Sequence, residues 1–262
     1  MHHFLDLTHY PLDKPGSKPY RALVKRCQAD LVDNGMFNLD GLLKPEACQK
    51  AVDEIAPVMQ KASFTHRREH NIYFLKNIPE LDPSHPALQQ VETINHTVCA
   101  DQILDSIVVK VYEYEPLIQF IADTMQKPQL FTMPDPLARV NVMAYRDGEA
   151  LNWHFDRSEF TTTLLLQNPL AGGLFEYRSD LRSDSNPNYD GVAQLLNNQD
   201  LLRKSIQVRA GTLSVFRGKN TAHRVTPIEG NKERIVTVYS YYEQPERFFS
   251  DEELLGFFGR IR

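Results

Sequence analysis

Residues 151–169 read LNWHFDRSEFTTTLLLQNP, two short runs of strand-forming residues joined by a polar turn. The first run closes on His154 and Asp156, and residues two apart on a strand project from one face. The second is β-branched and apolar and stops at Asn168 and Pro169, a turn signal. The same texture continues on both sides. LARVNVMAYRDG (137–148), GGLFEYRS (172–179), KSIQVRAGTLSVFRG (204–218), AHRVTPI (222–228) and ERIVTVYSYYEQ (233–244) are short runs punctuated by Gly and Pro. That spacing predicts an antiparallel sandwich or barrel over about 137–243. Neither βαβ alternation nor a glycine-rich phosphate loop is present, which argues against a nucleotide-binding fold. Within the β zone, residues 178–200 are polar and turn-rich and then helical, an insertion placed where a lid would sit.

Upstream, the chain reads as supporting structure. Pro11, Pro15, Gly16 and Pro19 suggest an extended arm, followed by one helix that Gly35 ends, so residues 1–35 form an N-terminal arm and helix. MFNLDGLLKPEACQKAVDEI (36–55) reads as a short strand, a turn and a helix opened near Pro45. HPALQQVETINHTVCADQI (85–103) and YEPLIQFIADTMQ (114–126) carry helical periodicity, with Leu117, Ile118, Ile121 and Met125 on one apolar stripe that buttresses the core. SDEELLGFFGR (250–260) predicts a C-terminal helix begun by Ser250 or Asp251. Residues 36–262 are thus expected to form one domain.

Composition removes several classes of function. A net charge of −5 and a pI near 6.0 lack the basic footprint of a nucleic-acid binder. Cys27, Cys48 and Cys99 are odd in number and show no CxxC spacing, so reduced thiols in a cytoplasmic protein are expected rather than disulfides or a zinc site. The opening residues have no signal-peptide core, and no stretch approaches the ~20 apolar residues that span a bilayer.

A lone H-x-D means little. It gains weight because AHRVTPI supplies His223 on a late strand of the same β zone. Two imidazoles and one carboxylate on one face of a metal leave three positions open, which suits a non-haem Fe(II) oxygenase. Trp153, the only tryptophan, would face away from such a metal and serve packing.

On these residues the chain resembles the Fe(II)/2-oxoglutarate-dependent oxygenase superfamily, whose pattern is H-x-D, a long gap, His, and an arginine about ten residues later. Here it reads His154, Asp156, His223 and Arg234, eleven residues beyond His223. YRDGEALNWHFD is similar to the corresponding stretch of prolyl-hydroxylase-like members, with Tyr145 and Gly148 in the matching places, and residues 36–55 resemble the opening of phytanoyl-CoA-hydroxylase-like members. The resemblance implies a mainly β fold with flanking helices (α+β): a double-stranded β-helix, or jelly roll, with N-terminal helical support. It implies His154, Asp156 and His223 as ligands of Fe(II). It makes Arg234 the partner of the distal carboxylate of the cosubstrate 2-oxoglutarate, with Tyr145 as a second contact. O2 is the oxidant.

A narrower likeness, carried by WHFDRSEFTTTLLLQNPLAGGLFEYRSDLR and FRGKNTAHRVTP, is to oxygenases that halogenate or hydroxylate free amino acids, including the lysine radical halogenases. Those halogenases carry Gly or Ala where this chain has Asp156. The resemblance therefore implies hydroxylation of a small polar substrate, a free amino acid first, with release of succinate and CO2. Arg157, with Glu159 or Asp190, is the candidate partner set for the charged ends of an amino acid; surface pairing is the alternative for each. Other readings stay open: a metal cupin acting as isomerase or binding protein, an oxygenase acting on a peptide or protein side chain, and a zinc hydrolase, although no HExxH helix is present. Serine-nucleophile catalysis finds no G-x-S-x-G.

Overall fold

Ser17 and Gly35 bracket the first helix. The Tyr20 amide donates to the Ser17 hydroxyl, and Gly35, at φ 75°, ends helix α1 (Lys18–Asn34) in the left-handed region open to glycine. The structure is a computed structural model describing residues 1–262. Strand β1 (Met36–Leu39) and helix α2 (Pro45–Ala62) come next, then strands β2 (Phe64–His70) and β3 (Val91–Cys99) and helices α3 (Ile107–Tyr112) and α4 (Glu115–Thr124). The β zone follows as β4 (Phe131–Thr132), β5 (Val140–Tyr145), β6 (Leu151–His154), β7 (Thr161–Gln167), β8 (Ala171–Gly172) and β9 (Phe175–Arg178). Helix α5 (Tyr189–Leu196) interrupts it before β10 (Lys204–Ile206), β11 (Leu213–Phe216), β12 (Ala222–Val225), β13 (Ile228–Glu229), β14 (Arg234–Tyr239) and β15 (Tyr241–Tyr242). Helix α6 (Asp251–Phe258) ends the chain, opened by a Ser250/Glu253 capping box.

Two antiparallel sheets make the jelly roll. The larger has the order β1-β11-β7-β14-β5-β3-β2 and the smaller β10-β9-β12-β6. Strand β14 explains the layering, because alternate residues face opposite ways. Ile235 and Tyr239 pack outward into the main core, which the large sheet shares with helices α1 to α4, while Val236 packs inward among Tyr145, Leu165, Phe175 and Phe216, between the sheets. Leu117, Ile118 and Ile121 join the main core and Met125 packs against it, as the helical stripe implied.

Three expectations needed correction. Residues 91–99, read as helical, form strand β3. The apolar residues do fall three or four apart, but Val91, Thr93, Ile94, Thr97 and Val98 are β-branched, and pairing with β2 over residues 91–97 and with β5 over residues 96–99 satisfies the backbone. Strand β2 (FTHRREH) was not anticipated, since an exposed, charged edge strand shows no apolar alternation. The large sheet therefore takes β1, β2 and β3 from before residue 100, rather than being built wholly from 137–243.

The 178–200 insertion does not roof the barrel. Val192 and Leu195 of α5 pack with Trp153, Phe155 and Ala222, the residues that alternate with His154, Asp156 and His223 and so face the other way. Helix α6 instead lies against β2, with Leu254 and Phe258 packed on Cys99, Met133 and Leu137. No helix is long and apolar enough to cross a membrane. All three cysteines are free and buried, and burial pushes their thiols up to about 11 for Cys27 and Cys48 and about 12 for Cys99.

Candidate metal centre

Adjacent strands of the small sheet carry the two histidines, and the chain brings in the aspartate two residues later. His154 and His223 are direct register partners across β6 and β12, with ring centroids 4.1 Å apart. Asp156 Oδ1 lies 3.3 Å from His154 Nε2, and Oδ2 lies 3.5 Å from His223 Nε2. The ligand atoms of all three side chains lie within 4.8 Å of one another. This is the sole cluster of three or more His, Cys, Asp or Glu side chains with such spacing.

Each imidazole is fixed by its other nitrogen. His154 Nδ1 lies 2.8 Å from the Asn152 carbonyl and His223 Nδ1 lies 3.0 Å from the Thr221 carbonyl. A carbonyl only accepts, so each Nδ1 carries the proton and each Nε2 presents a lone pair to the cluster. Burial lowers His223 to about 4, helped by the neighbouring His154 and opposed by Asp156, so that ring is neutral at physiological pH. Burial opposes ionisation of Asp156, but His223, His154 and the Thr161 hydroxyl outweigh it and hold the carboxyl below its usual range. Two aligned imidazoles and one ionised carboxylate form a donor set suited to a divalent first-row metal.

Arg234 and Tyr145 are register partners at the end of β14 and β5, both on the face turned toward the small sheet. Arg234 is 6% exposed, and its side chain makes no hydrogen bond or ion pair within the protein. Burial lowers its pKa to about 10, partly offset by Tyr145, so it remains cationic at neutral pH. The Tyr145 hydroxyl finds only Met143 Sδ, at 3.6 Å, and burial pushes it up to about 12. A buried guanidinium without a counter-charge is costly, which makes Arg234 a candidate partner for an anion.

The expected substrate contacts are placed differently from one another. Arg157 is ion-paired with Glu253 of α6 at 2.7 Å and lies over the rings of Phe249 and Phe257, at 5.5 and 5.1 Å. Glu159 pairs with Lys127 at 2.7 Å. Asp190 sits exposed in the first turn of α5, the helix packed behind the small sheet, and is not brought to the cluster. Trp153 is buried on the face away from the His154, Asp156 and His223 cluster, under the Arg224 guanidinium at 5.0 Å.

The sequence reading missed a group around His154 that β2 delivers. His70 stacks on Phe74 at 4.5 Å, and their rings stand 6.5 and 5.9 Å from that of His154. Phe74 has φ 57°, a strained conformation for a bulky residue, braced by Asn71, which accepts from the Tyr73 and Leu75 amides. Thr161, which donates to Asp156 Oδ2 at 2.5 Å, was also missed. An Asn-led turn before a short aromatic run was the available signal for the first group, and a threonine-rich strand start just beyond the aspartate for the second.

A jelly roll with a two-histidine, one-carboxylate cluster between its sheets and a lone buried arginine nearby has the architecture of the Fe(II)/2-oxoglutarate oxygenase fold class. Solved structures place it there. The chain is similar to a 2OG-Fe(II) oxygenase family oxidoreductase from Burkholderia pseudomallei (13% identity, 89% of this chain, 94% of that one, TM-score 0.52). It is similar to a prolyl-4-hydroxylase from Pseudomonas putida (13%, 82% and 97%, TM-score 0.51). It is also similar to HygX from Streptomyces hygroscopicus, solved with nickel and 2-oxoglutarate bound (11%, 86% and 88%, TM-score 0.54). No curated protein matches the sequence. The profile of the halogenase D family matches residues 20–251, and the chain belongs to that family.

Proposed function

We propose that this chain is an Fe(II)- and 2-oxoglutarate-dependent dioxygenase that hydroxylates an unactivated C–H bond of a small polar substrate, a free amino acid first, with release of succinate and CO2. The observation that carries this reading is the pairing of the His154, Asp156 and His223 cluster with the buried, unneutralised Arg234. These residues fit both groups. The three side chains would hold Fe(II), and Arg234, with Tyr145 beside it, would bind the distal carboxylate of 2-oxoglutarate through charge-assisted hydrogen bonds. When bound, the iron and its cosubstrate supply oxygen activation coupled to decarboxylation. The chain's own share is to hold both imidazoles in the metal-facing tautomer, to keep Asp156 ionised, and to hold a largely buried guanidinium without a counter-charge.

Asp156 supports hydroxylation over halogenation within this family. Its carboxylate fills the position that the lysine radical halogenases, which the chain resembles, vacate for a halide. What supports a small polar substrate is the resemblance of residues 153–182 and 216–227 to oxygenases of free amino acids. Arg157 and Glu159 are already ion-paired, with Glu253 and Lys127, so the alternative of surface pairing is the reading retained for both. Three buried, reduced thiols accord with a cytoplasmic location.

The test is an anaerobic titration of metal-free protein with Fe(II) and then 2-oxoglutarate, following the visible metal-to-ligand charge-transfer band. The band is expected in the wild type and lost in His154→Ala and Arg234→Leu. A panel of free amino acids, with and without chloride, then identifies the substrate by succinate release and the mass of the product. A folded wild type that forms no band defeats the proposal, and a chlorinated product defeats the hydroxylase assignment.

A further inference from the structure

The Asp156 carboxylate has two oxygens within reach of the cluster, and the protein treats them differently. Oδ1 faces His154 Nε2 at 3.3 Å and accepts no hydroxyl. Oδ2 lies 3.5 Å from His223 Nε2 but accepts the Thr161 hydroxyl at 2.5 Å. Thr161 is the first residue of β7, held opposite Phe216 in the ladder of the large sheet, so its hydroxyl is delivered by a rigid strand. The Ser158 hydroxyl lies 3.3 Å from Thr161 Oγ1 and gives it a second partner. The Asp156 amide donates to the Gly218 carbonyl at 3.1 Å. A Cβ on Gly218 would overlap both Asp156 Oδ2 and the Thr161 hydroxyl. Gly218 does not have a positive φ, so glycine is required there by space and not by conformation.

We infer that Thr161 is a positioning residue that makes Asp156 a one-oxygen metal ligand, with Gly218 supplying the space in which this arrangement closes. The inference rests on the dioxygenase reading above. An octahedral ion held by two imidazoles and one carboxylate oxygen keeps three positions free. A cosubstrate that chelates through two atoms then leaves one for oxygen. If the carboxylate turned and bound through both oxygens, it would take a fourth position and no place for oxygen would remain. The carboxylate can turn about its own bond, and the Thr161 hydroxyl restrains it by holding Oδ2. Hydrogen bonds of this kind to ligating groups commonly tune metal affinity 10- to 100-fold.

The experiment compares Thr161→Val, which keeps the shape and removes the hydroxyl, with Thr161→Ser, which restores it. Metal-free protein is titrated with Co(II) and with Fe(II), read by quenching of Trp153, the only tryptophan and the neighbour of His154. The visible spectrum of the Co(II) form reports coordination number. Thr161→Val is expected to weaken metal binding about 10- to 100-fold and to change the Co(II) spectrum, with Thr161→Ser close to wild type on both counts. Gly218→Ala, which presses on the same oxygen, should alter the spectrum in its own right; thermal melts confirm that each variant is folded. A Thr161→Val protein with wild-type affinity and spectrum overturns the inference while leaving the dioxygenase reading intact, provided that the wild type binds metal and then 2-oxoglutarate. A wild type that binds neither overturns both.

Discussion

Replacing Arg234 by leucine should make the metal-free protein more stable while abolishing its tight hold on 2-oxoglutarate. The two effects share one cause. Arg234 is 6% exposed, has no counter-charge, and its pKa falls from the ordinary 12.5 to about 10 because burial penalises the charged form. At about 1.4 kcal/mol per pH unit, that gap corresponds to an upper bound of about 3 kcal/mol by which the empty fold disfavours the guanidinium. Leucine removes the charge but also part of the aliphatic stem that packs near Gly173, so a net gain of about 1–2 kcal/mol is expected. For a chain of this size that raises the melting temperature by a few degrees. On the other side, truncating one partner of a buried charge pair costs about 2–5 kcal/mol, so the dissociation constant for 2-oxoglutarate should rise by a factor of about 30 or more. Differential scanning calorimetry of metal-free protein measures the first quantity, and anaerobic titration of the Fe(II) form measures the second. Arg234→Lys separates charge from geometry, since a lysine retains the cation and loses the bidentate fork. A leucine variant that melts lower and binds 2-oxoglutarate as well as wild type would refute the reasoning, because it would mean that the arginine serves the fold and not an anion.

Other consequences follow from the same structure. His223 is held near 4, below its ordinary 6.5, so the unfolded chain takes up a proton that the folded metal-free protein refuses; stability is full above about 6.5 and falls as the pH drops toward 4. The His223 contribution to that loss is at most about 3 kcal/mol, and His223→Asn should flatten the curve of melting temperature against pH over this window. Gly35→Ala should lower stability by about 2–4 kcal/mol, read as a lower denaturant midpoint at unchanged slope. The reason is that φ is 75° there and the new Cβ would press on Ser179. Arg157→Ala should loosen α6, measured as faster amide exchange over 251–258 with little change at β14, since Arg157 joins the helix to the turn after Asp156.

Short-range rules carried much of this protein in its sequence. Alternation along a strand puts His154 and Asp156 on one face and Trp153 and Phe155 on the other, whatever sheet they join. The Gly35 stop, the Pro45 start and the Ser250 cap are local chemistry and fall where the sequence implies. His223 was proposed from its place on a late strand of the same β zone, and Arg234 from the resemblance to the oxygenase superfamily, whose pattern puts an arginine about ten residues further on. What the sequence left undecided depends on partners far along the chain. VETINHTVC has helical spacing and strand-forming residues at once, and only pairing with β5 and β2 selects the strand. FTHRREH has no apolar face to read, yet as an edge strand it brings His70 toward His154. The side on which the 178–200 insertion packs follows from which face of the small sheet is left uncovered, and the Thr161 bond to Asp156 exists because β7 of the large sheet passes the end of β6 of the small one. Local sequence sets which way a side chain points along its own strand; the tertiary structure decides what it meets there, because that depends on the pairing and stacking of segments more than forty residues apart.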